Sequence, residues 1–272
     1  MKKQLYLYVF LLAVIIVAMV AVRNYSSDKE EVTHRDLPEI RQEGILRMAA
    51  DYNSVELHAQ ADSMAGFQYE LARAFSDFTG VEIEIYPVSS IEESLDGLNA
   101  NKYDIVARLI PVTVQLKEQF NASKPFVTSK HVLVQRLPEG DNDSLLIRNQ
   151  LYLAGKELHI AKNSSVYTRL ANLMKEIGDT IYVVEDPLYQ DEQLIQMVSM
   201  KLIDYAVVDE HIAKRIQADY PNVDIKTDIS FAQLNSWITR KDSPVLMDSI
   251  NSFVEQFKNS NKFKELKKHY LR

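Results

Sequence analysis

The sequence predicts an α/β protein built as two similar lobes that face each other across a cleft. Strand and helix signals alternate from about residue 37 to the end, which is typical of α/β folds with largely parallel sheets. One pattern of helix, polar turn and strand recurs about 100 residues later in the chain. With 272 residues, 46% of them hydrophobic, the chain can bury one large core or two small ones.

The N-terminal segment, residues 1–23, predicts a membrane anchor. Lys2 and Lys3 precede an uncharged, mostly apolar run at residues 5–22, which is about the minimum length for a helix that spans a bilayer. A cleavable secretory signal has the same pattern, but no good pair of small residues marks a cut site, which favours the anchor. The lysine pair places the rest of the chain outside the cytoplasm. Residues 24–36 are almost all polar or charged and predict a tether.

Apolar residues at helical spacing predict amphipathic helices in both halves of the chain. The stripes are Phe67, Leu71, Phe75 and Phe78; Ile91, Leu95 and Leu98; Val166, Leu170, Leu173 and Ile177; and Leu246, Ile250, Phe253 and Phe257. Gly80 comes two residues after the first stripe and predicts the end of that helix. Strands are predicted at residues 81–85, 105–107 and 181–184.

The internal repeat ends each time in an aspartate that enters an apolar strand. Asp104 precedes Ile-Val-Ala, and Asp204 precedes Tyr-Ala-Val. The apolar helix positions before each aspartate also match: Leu95 and Leu98, then Ile195 and Val198. Chance spacing is the alternative to a true repeat. Two such units would face each other across a cleft, where α/β proteins bind small ligands.

Composition argues against several classes of function. A net charge of −7 without a basic stripe argues against nucleic acid as a partner. Because the chain has no cysteine, disulfides and thiolate chemistry are excluded. Its seven glycines form no phosphate-binding loop, and its six histidines show no metal-ligand spacing. The sequence therefore predicts neither a cofactor nor a metal.

Several stretches, taken in order, resemble the family 3 periplasmic solute-binding proteins. The first-lobe stretches are DLPEIRQEGILRMAADY, GFQYELARAFSDFTGVEIEI, LDGLNANKYDIVARLIPVT and SKPFVTSKHVLVQ; those of the second lobe and the C-terminus are KELHIAKNSSVYTRL, LIQMVSMKLIDYAVVDEHIA and FVEQFKNSNKFKELKKHYL. The resemblance covers residues 36–271, and the order of the motifs is its specific part. Both ends look closest to the binding domain of membrane-bound lytic murein transglycosylases, in which a separate domain cuts the wall. That domain is expected to be missing here, so the resemblance implies binding without catalysis.

The resemblance implies a two-lobed type II periplasmic-binding-protein fold. In that fold each lobe is a mostly parallel sheet flanked by helices, and the chain crosses between lobes twice. Carried onto this chain, the crossings fall at residues 134–137 and 228–232. The first lobe would then hold residues 37–134 and 232–272, and the second lobe residues 135–231. Such lobes close on a ligand about a hinge.

The resemblance also implies a ligand site in the cleft. Family members that bind amino acids use groups at the ends of strands, a hydroxyl-rich turn at a helix start and an acidic residue for the amino group. Hydroxyls and N–H groups at a helix start favour an anion, whereas a carboxylate pairs with an ammonium group. The matching residues here are Asp51, Tyr52, Arg108, Thr113, Ser164, Ser165 and Asp209.

One departure from the family and several structural readings remain open. The family's carboxylate-binding arginine falls on Leu116, so the bidentate clamp is missing there; Arg108 could supply its charge from another direction or lie on the surface. Ser164 and Ser165 could simply cap a helix, and so could Asp209. Asp51 and Tyr52 could form an ordinary turn.

The leading hypothesis is a non-catalytic binding protein that lies on the periplasmic side of the bacterial inner membrane. Its ligand would be an amino acid, a short peptide or a muropeptide, passed to an ABC permease or reported to a murein enzyme. In the first alternative, the protein no longer binds a ligand. It would instead be a regulatory partner of wall-remodelling enzymes or of a transporter. The second is an enzyme on the same scaffold, which would need a carboxylate or histidine poised in the cleft.

Overall fold

A computed structural model of the chain describes Met19, residues 35–140 and residues 143–271. Nearly all of the predicted anchor and of the predicted tether lies outside the described residues. Within the described part of the chain, no helix is long and apolar enough to cross a membrane. From Arg35 onward the chain forms one compact unit.

The strands and helices of this unit alternate along the chain. The strands are β1 (Ile45–Ala50), β2 (His58–Gln60), β3 (Ser63–Ala65), β4 (Glu82–Pro87), β5 (Ile105–Ala107), β6 (Phe120–Ala122), β7 (Val127–Ser129), β8 (His131–Arg136), β9 (Glu157–Ala161), β10 (Tyr182–Asp186), β11 (Tyr205–Asp209), β12 (Val223–Asp228), β13 (Gln233–Asn235) and β14 (Ile238–Arg240). The helices are α1 (Leu37–Glu43), α2 (Phe67–Thr79), α3 (Ile91–Asn99), α4 (Val114–Gln119), α5 (Val166–Ile177), α6 (Asp191–Ser199), α7 (Glu210–Ile216), α8 (Pro244–Phe257) and α9 (Asn261–Tyr270).

Two five-stranded sheets form the centres of the two lobes. The first has the order β4-β1-β5-β14-β6, and the second has the order β10-β9-β11-β8-β12. In each sheet, two neighbouring pairs are parallel and two are antiparallel. The predicted α/β class and two-lobed architecture are confirmed, but the sheets are mixed rather than mostly parallel. The antiparallel pairs arise because β14 and β8 each enter their sheet directly after a crossing from the other lobe.

A two-stranded ribbon marks the passage between the lobes. In it, β7 pairs antiparallel with β13. The second crossing, predicted at residues 228–232, corresponds to the stretch between β12 and β13. The first crossing was expected at residues 134–137, but the whole of β8 pairs with β11 and β12 of the second sheet. The chain therefore enters the second lobe at Lys130, the single residue between β7 and β8.

The folded unit begins two residues before its predicted start. Arg35 and Asp36 are both buried, although the sequence placed them in the tether. Asp36 caps α1 and also accepts hydrogen bonds from the backbone N–H groups of Val245 and Leu246 at the start of α8. Arg35 forms an ion pair with Asp104. Polarity alone predicted a solvated tether here because it does not distinguish a solvated charge from a buried pair.

The internal repeat has the same backbone geometry in both lobes. At the end of α3, the N–H of Ala100 donates a hydrogen bond to the carbonyl of Asp96. At the end of α6, the N–H of Met200 donates to the carbonyl of Gln196 in the same way. The next residues, Asn101 and Lys201, both have left-handed backbones with φ of 56° and 65°. Each turn then leads through an aspartate into a central strand of its sheet. The repeat therefore places the carboxyl ends of β5 and β11 at equivalent positions in the two lobes.

Candidate functional site

A cavity of about 260 Å³ is lined by both lobes at the carboxyl ends of their strands. In α/β sheets, ligands bind beyond these ends because the loops there converge. The structure brings all seven predicted site residues to this cavity. They are Asp51 after β1, Tyr52 beside it, Arg108 after β5, Thr113 before α4, Ser164 and Ser165 before α5, and Asp209 at the end of β11.

Arg108 is buried in the wall of the first lobe and bonded within it. Its guanidinium forms an ion pair of 2.9 Å with Asp51. It also donates to the backbone carbonyls of Val88 and Ser89. The guanidinium therefore bonds to three acceptors in its own lobe. Leu116, where the family's arginine was expected, lines the same cavity with an apolar side chain.

Glu56 is a buried cavity residue that the sequence did not indicate. Its carboxyl group accepts hydrogen bonds from the backbone N–H of Leu109 at 2.8 Å and from the Asn53 amide at 3.3 Å. Burial, together with the charge of Asp51, raises the pKa of Glu56 to about 8. Burial also raises the pKa of Asp51, although the charge of Arg108 opposes this shift. Glu56 lies in a polar turn whose composition gives no sign that one of its carboxyl groups is enclosed.

The wall of the second lobe carries a second pair of carboxyl groups. The backbone N–H of Asp209 donates to Asp191 over 2.8 Å, and the carboxylate of Asp209 caps α7 through the N–H of His211. Burial, reinforced by the charge of Asp209, raises the pKa of Asp191 to about 7. Opposite Asp209 in the sheet lies His131, whose pKa is lowered by burial. Asp209 is thus both a helix cap and a cavity residue.

The hydroxyl groups at the cavity differ in whether they cap a helix through a hydrogen bond. Ser165 precedes α5 but makes no capping hydrogen bond, whereas the hydroxyl of Ser164 accepts a long one, 3.4 Å, from the N–H of Val166. Thr113 caps α4 through the N–H of Leu116 at 3.1 Å. Tyr52 is half-exposed beside Asp51. Capping therefore accounts for Thr113 and not for Ser165.

The two lobes also touch each other at the cavity. The backbone N–H of Ser54 in the first lobe donates to Glu192 in the second lobe at 2.8 Å. The Asn163 amide of the second lobe donates to Glu92 of the first at 2.9 Å. Lys162 lies 3.6 Å from the same carboxylate of Glu92. These contacts bring the two walls together around the cavity.

Several solved structures share this architecture over most of the chain. A mutant of ArgBP from T. maritima has a TM-score of 0.73 at 21% identity and covers 86% of this chain and 98% of its own. An amino acid ABC transporter substrate-binding protein from Streptococcus pneumoniae, bound to L-arginine, has a TM-score of 0.72 at 22% identity, with coverages of 86% and 97%. An ancestral amino acid-binding protein, a precursor of cyclohexadienyl dehydratase, has a TM-score of 0.74 at 19% identity, with coverages of 87% and 99%. At such identities the similarity establishes the fold alone.

Curated relatives agree with the resemblance seen in the sequence. Membrane-bound lytic murein transglycosylase F from Pseudomonas fluorescens is 25% identical over 236 residues, which cover 86% of this chain and 47% of the relative. The protein of the same name from Aeromonas salmonicida is 29% identical over 227 residues, with coverages of 81% and 44%. The chain thus spans about half the length of these curated relatives. The sequence profile of one family matches residues 45–272, so the chain belongs to the bacterial extracellular solute-binding proteins, family 3.

Proposed function

We propose that this chain is an extracytoplasmic, membrane-tethered solute-binding protein that holds a small ligand between its lobes and performs no catalysis. The ligand would be an amino acid, a short peptide or a cell-wall fragment. The cavity of about 260 Å³ carries the proposal, because polar groups of both lobes converge on it. Its volume lies just below the usual range of ligand pockets, about 300–1,000 Å³, which favours a small ligand or part of a larger one.

The bonding of the cavity residues favours binding over turnover. Each carboxyl group with a strongly raised pKa is held by the chain itself: Glu56 by Leu109 and Asn53, and Asp191 by the N–H of Asp209. A general acid or base must instead reach the substrate proton within hydrogen-bond distance. The ArgBP structure and the arginine-bound transporter protein have names that describe binding, and this supports the same activity on this scaffold.

Calorimetric titration of the full chain in detergent tests the proposal. We expect saturable binding to at least one member of a panel of amino acids, short peptides and muropeptides. Asp209→Asn should weaken that binding about tenfold or more, since a hydrogen bond to a charged group contributes about 1.5–3 kcal/mol. Asparagine also caps helices, so α7 should persist. Asp204→Asn, an exposed aspartate outside the cavity, is the matched control.

Other outcomes of this titration would support the alternatives. Silence across the whole panel, together with capture of a permease or murein enzyme by the ligand-free chain, would favour a regulatory partner over a solute-binding protein. Heat that continues after mixing would reveal turnover and contradict the non-catalytic proposal.

The proposed tether rests on the apolar run at residues 5–22. We expect the full chain to stay with the bacterial inner membrane after an alkaline carbonate wash. Ile15→Arg, which places a charge in the middle of the run at a cost of about 2.5–3.5 kcal/mol, should release the chain to the soluble fraction. A wild-type chain found soluble with its N-terminus cut off would show a secretory signal instead.

A further inference from the structure

Among the described residues, the cavity is lined by more acidic than basic side chains. Five carboxyl side chains line it: Asp51, Glu56, Asp191, Glu192 and Asp209. Two cationic side chains of the described residues, Arg108 and Lys162, line the same space. The walls therefore have an excess of acidic groups. An anionic ligand could bind only if one of the two cations were available to pair with it.

Neither cation is free to face a ligand carboxylate. Arg108 is enclosed in the first lobe, where its guanidinium serves Asp51 and two backbone carbonyls. Lys162 is about half-exposed at the rim and lies 3.6 Å from Glu92. A carboxylate placed in the cavity would therefore have to compete with existing ion pairs for its counter-charge.

The start of α5 offers little compensation to an anion. Helix N-termini bind anions through free backbone N–H groups. Here the N–H of Ser164 donates to the carbonyl of Ala161 at 3.1 Å, and the N–H of Tyr167 donates to the carbonyl of Ser164 at 3.1 Å. The N–H of Val166 is directed to the hydroxyl of Ser164 at 3.4 Å. Most of the donors that an anion would use are thus taken up within the chain.

Acceptors remain available on the second lobe. Asp191 and Asp209 each use one oxygen for a backbone N–H, and Glu192 uses one for Ser54. Nδ1 of His131, a residue that is 7% exposed and lines the cavity, has no partner among the described residues. A buried imidazole nitrogen without a partner is costly, and a neutral ring can accept a hydrogen bond there. Nδ1 of His58, His159 and His211 is likewise buried without a partner among the described residues, but of these four histidines only His131 lines the cavity, where a ligand could supply the donor.

A metal ion fits these acceptors poorly. In the part of the chain that the structure describes, no three acidic or histidine groups converge as metal ligands would. The acceptors Asp191, Glu192, Asp209 and His131 all line the cavity from the second lobe, which suits a donor with several N–H groups. The pKa of Asp191, raised to about 7 by burial and by its acidic neighbour Asp209, is consistent with a site that lacks its counter-charge.

We infer that the cavity selects an organic cation, an ammonium or guanidinium compound that brings no free carboxylate into the cavity. This inference rests on the proposed solute-binding function and narrows its ligand class. The N–H groups of the cation would face Asp191, Asp209 and the orphaned nitrogen of His131. In the first lobe, Arg108 would remain paired with Asp51 and would not contact the ligand.

Matched pairs of ligands test this inference by calorimetry on the full chain in detergent. Agmatine is arginine without its carboxylate, and cadaverine is lysine without its carboxylate. We expect each amine to bind at least about tenfold more tightly than its parent amino acid. Asp191→Asn, which keeps an acceptor for the N–H of Asp209 but removes the charge, should abolish that preference. Asp204→Asn should preserve it, because this aspartate lies outside the cavity.

The outcomes separate this inference from the proposed function. Tighter binding of arginine or lysine than of their amines would overturn the carboxylate-free class but keep the solute-binding function. Binding of only neutral or acidic ligands would overturn the cationic class and also leave that function standing. Silence toward every ligand of both panels would overturn both.

Discussion

Replacement of Asp104 by alanine is expected to lower the free energy of unfolding by about 3–5 kcal/mol. Asp104 is fully buried and directly precedes β5. Its carboxylate pairs with Arg35 at 2.8 Å and with Arg240 at 3.3 Å, and it accepts the backbone N–H of Arg47 at 2.9 Å. Removal of the carboxylate would leave two buried guanidinium groups without their shared counter-charge.

The internal repeat supplies the matched control. Asp204 holds the equivalent position in the second lobe, but its side chain is 73% exposed and, among the residues that the structure describes, pairs with Arg136 alone. Exposed pairs contribute about 0–1 kcal/mol, so Asp204→Ala should change stability little. Urea denaturation followed by circular dichroism measures both variants. Equal losses for the two aspartates would contradict the role assigned to the buried pair.

The repeat was visible in the sequence because its elements are local. Helical spacing, a polar turn and an aspartate before an apolar strand appear within about 15 residues of each other in each copy. The mixed character of the sheets was not visible, since β14 reaches β5 from more than 100 residues away. The crossing near Lys130 was missed for a similar reason. The sequence pattern of an apolar strand does not show which sheet the strand joins.

The site was predictable where the family resemblance assigns its residues to strand ends and helix starts. Asp51, Arg108 and Asp209 come directly after or at the end of an apolar strand, so the topology brings them together. Glu56 and Asp191 gave no comparable sign, because their enclosure depends on backbone N–H groups of distant residues. Leu109, which binds Glu56, is 53 positions away from it in the chain. Tertiary folding, rather than local composition, therefore creates the shifted carboxyl groups.

Replacement of Arg108 by methionine is expected to lower the free energy of unfolding by about 3–5 kcal/mol near pH 8. Methionine fills much of the same volume but cannot bond Asp51 or the carbonyls of Val88 and Ser89. Asp51 and Glu56 would then share a buried wall without a cation. Chemical denaturation of ligand-free protein at several pH values measures the effect.

The loss should depend on pH in a defined direction. Burial already raises the pKa of Asp51, and the pKa of Glu56 is about 8. A carboxyl group with a raised pKa keeps a proton in the folded state that the unfolded chain has already released. The free energy of unfolding therefore falls as the pH rises from the group's unfolded pKa to its folded pKa. Without Arg108 both pKa values should rise further. The variant should therefore be closest to wild type near pH 5 and furthest from it near pH 8.

A double-mutant cycle separates the structural role of Arg108 from a ligand-binding role. Asp51→Asn removes the charge that Arg108 balances, so the double variant with Arg108→Met should recover part of the stability lost by Arg108→Met alone. That recovery requires the ion pair of 2.9 Å to stabilise the ligand-free chain. If Arg108 instead served only a ligand, its substitution would leave ligand-free stability unchanged at every pH, and the cycle would show no coupling. An intact amine affinity in the double variant would further place recognition on the wall of the second lobe, where Asp191 and Asp209 lie.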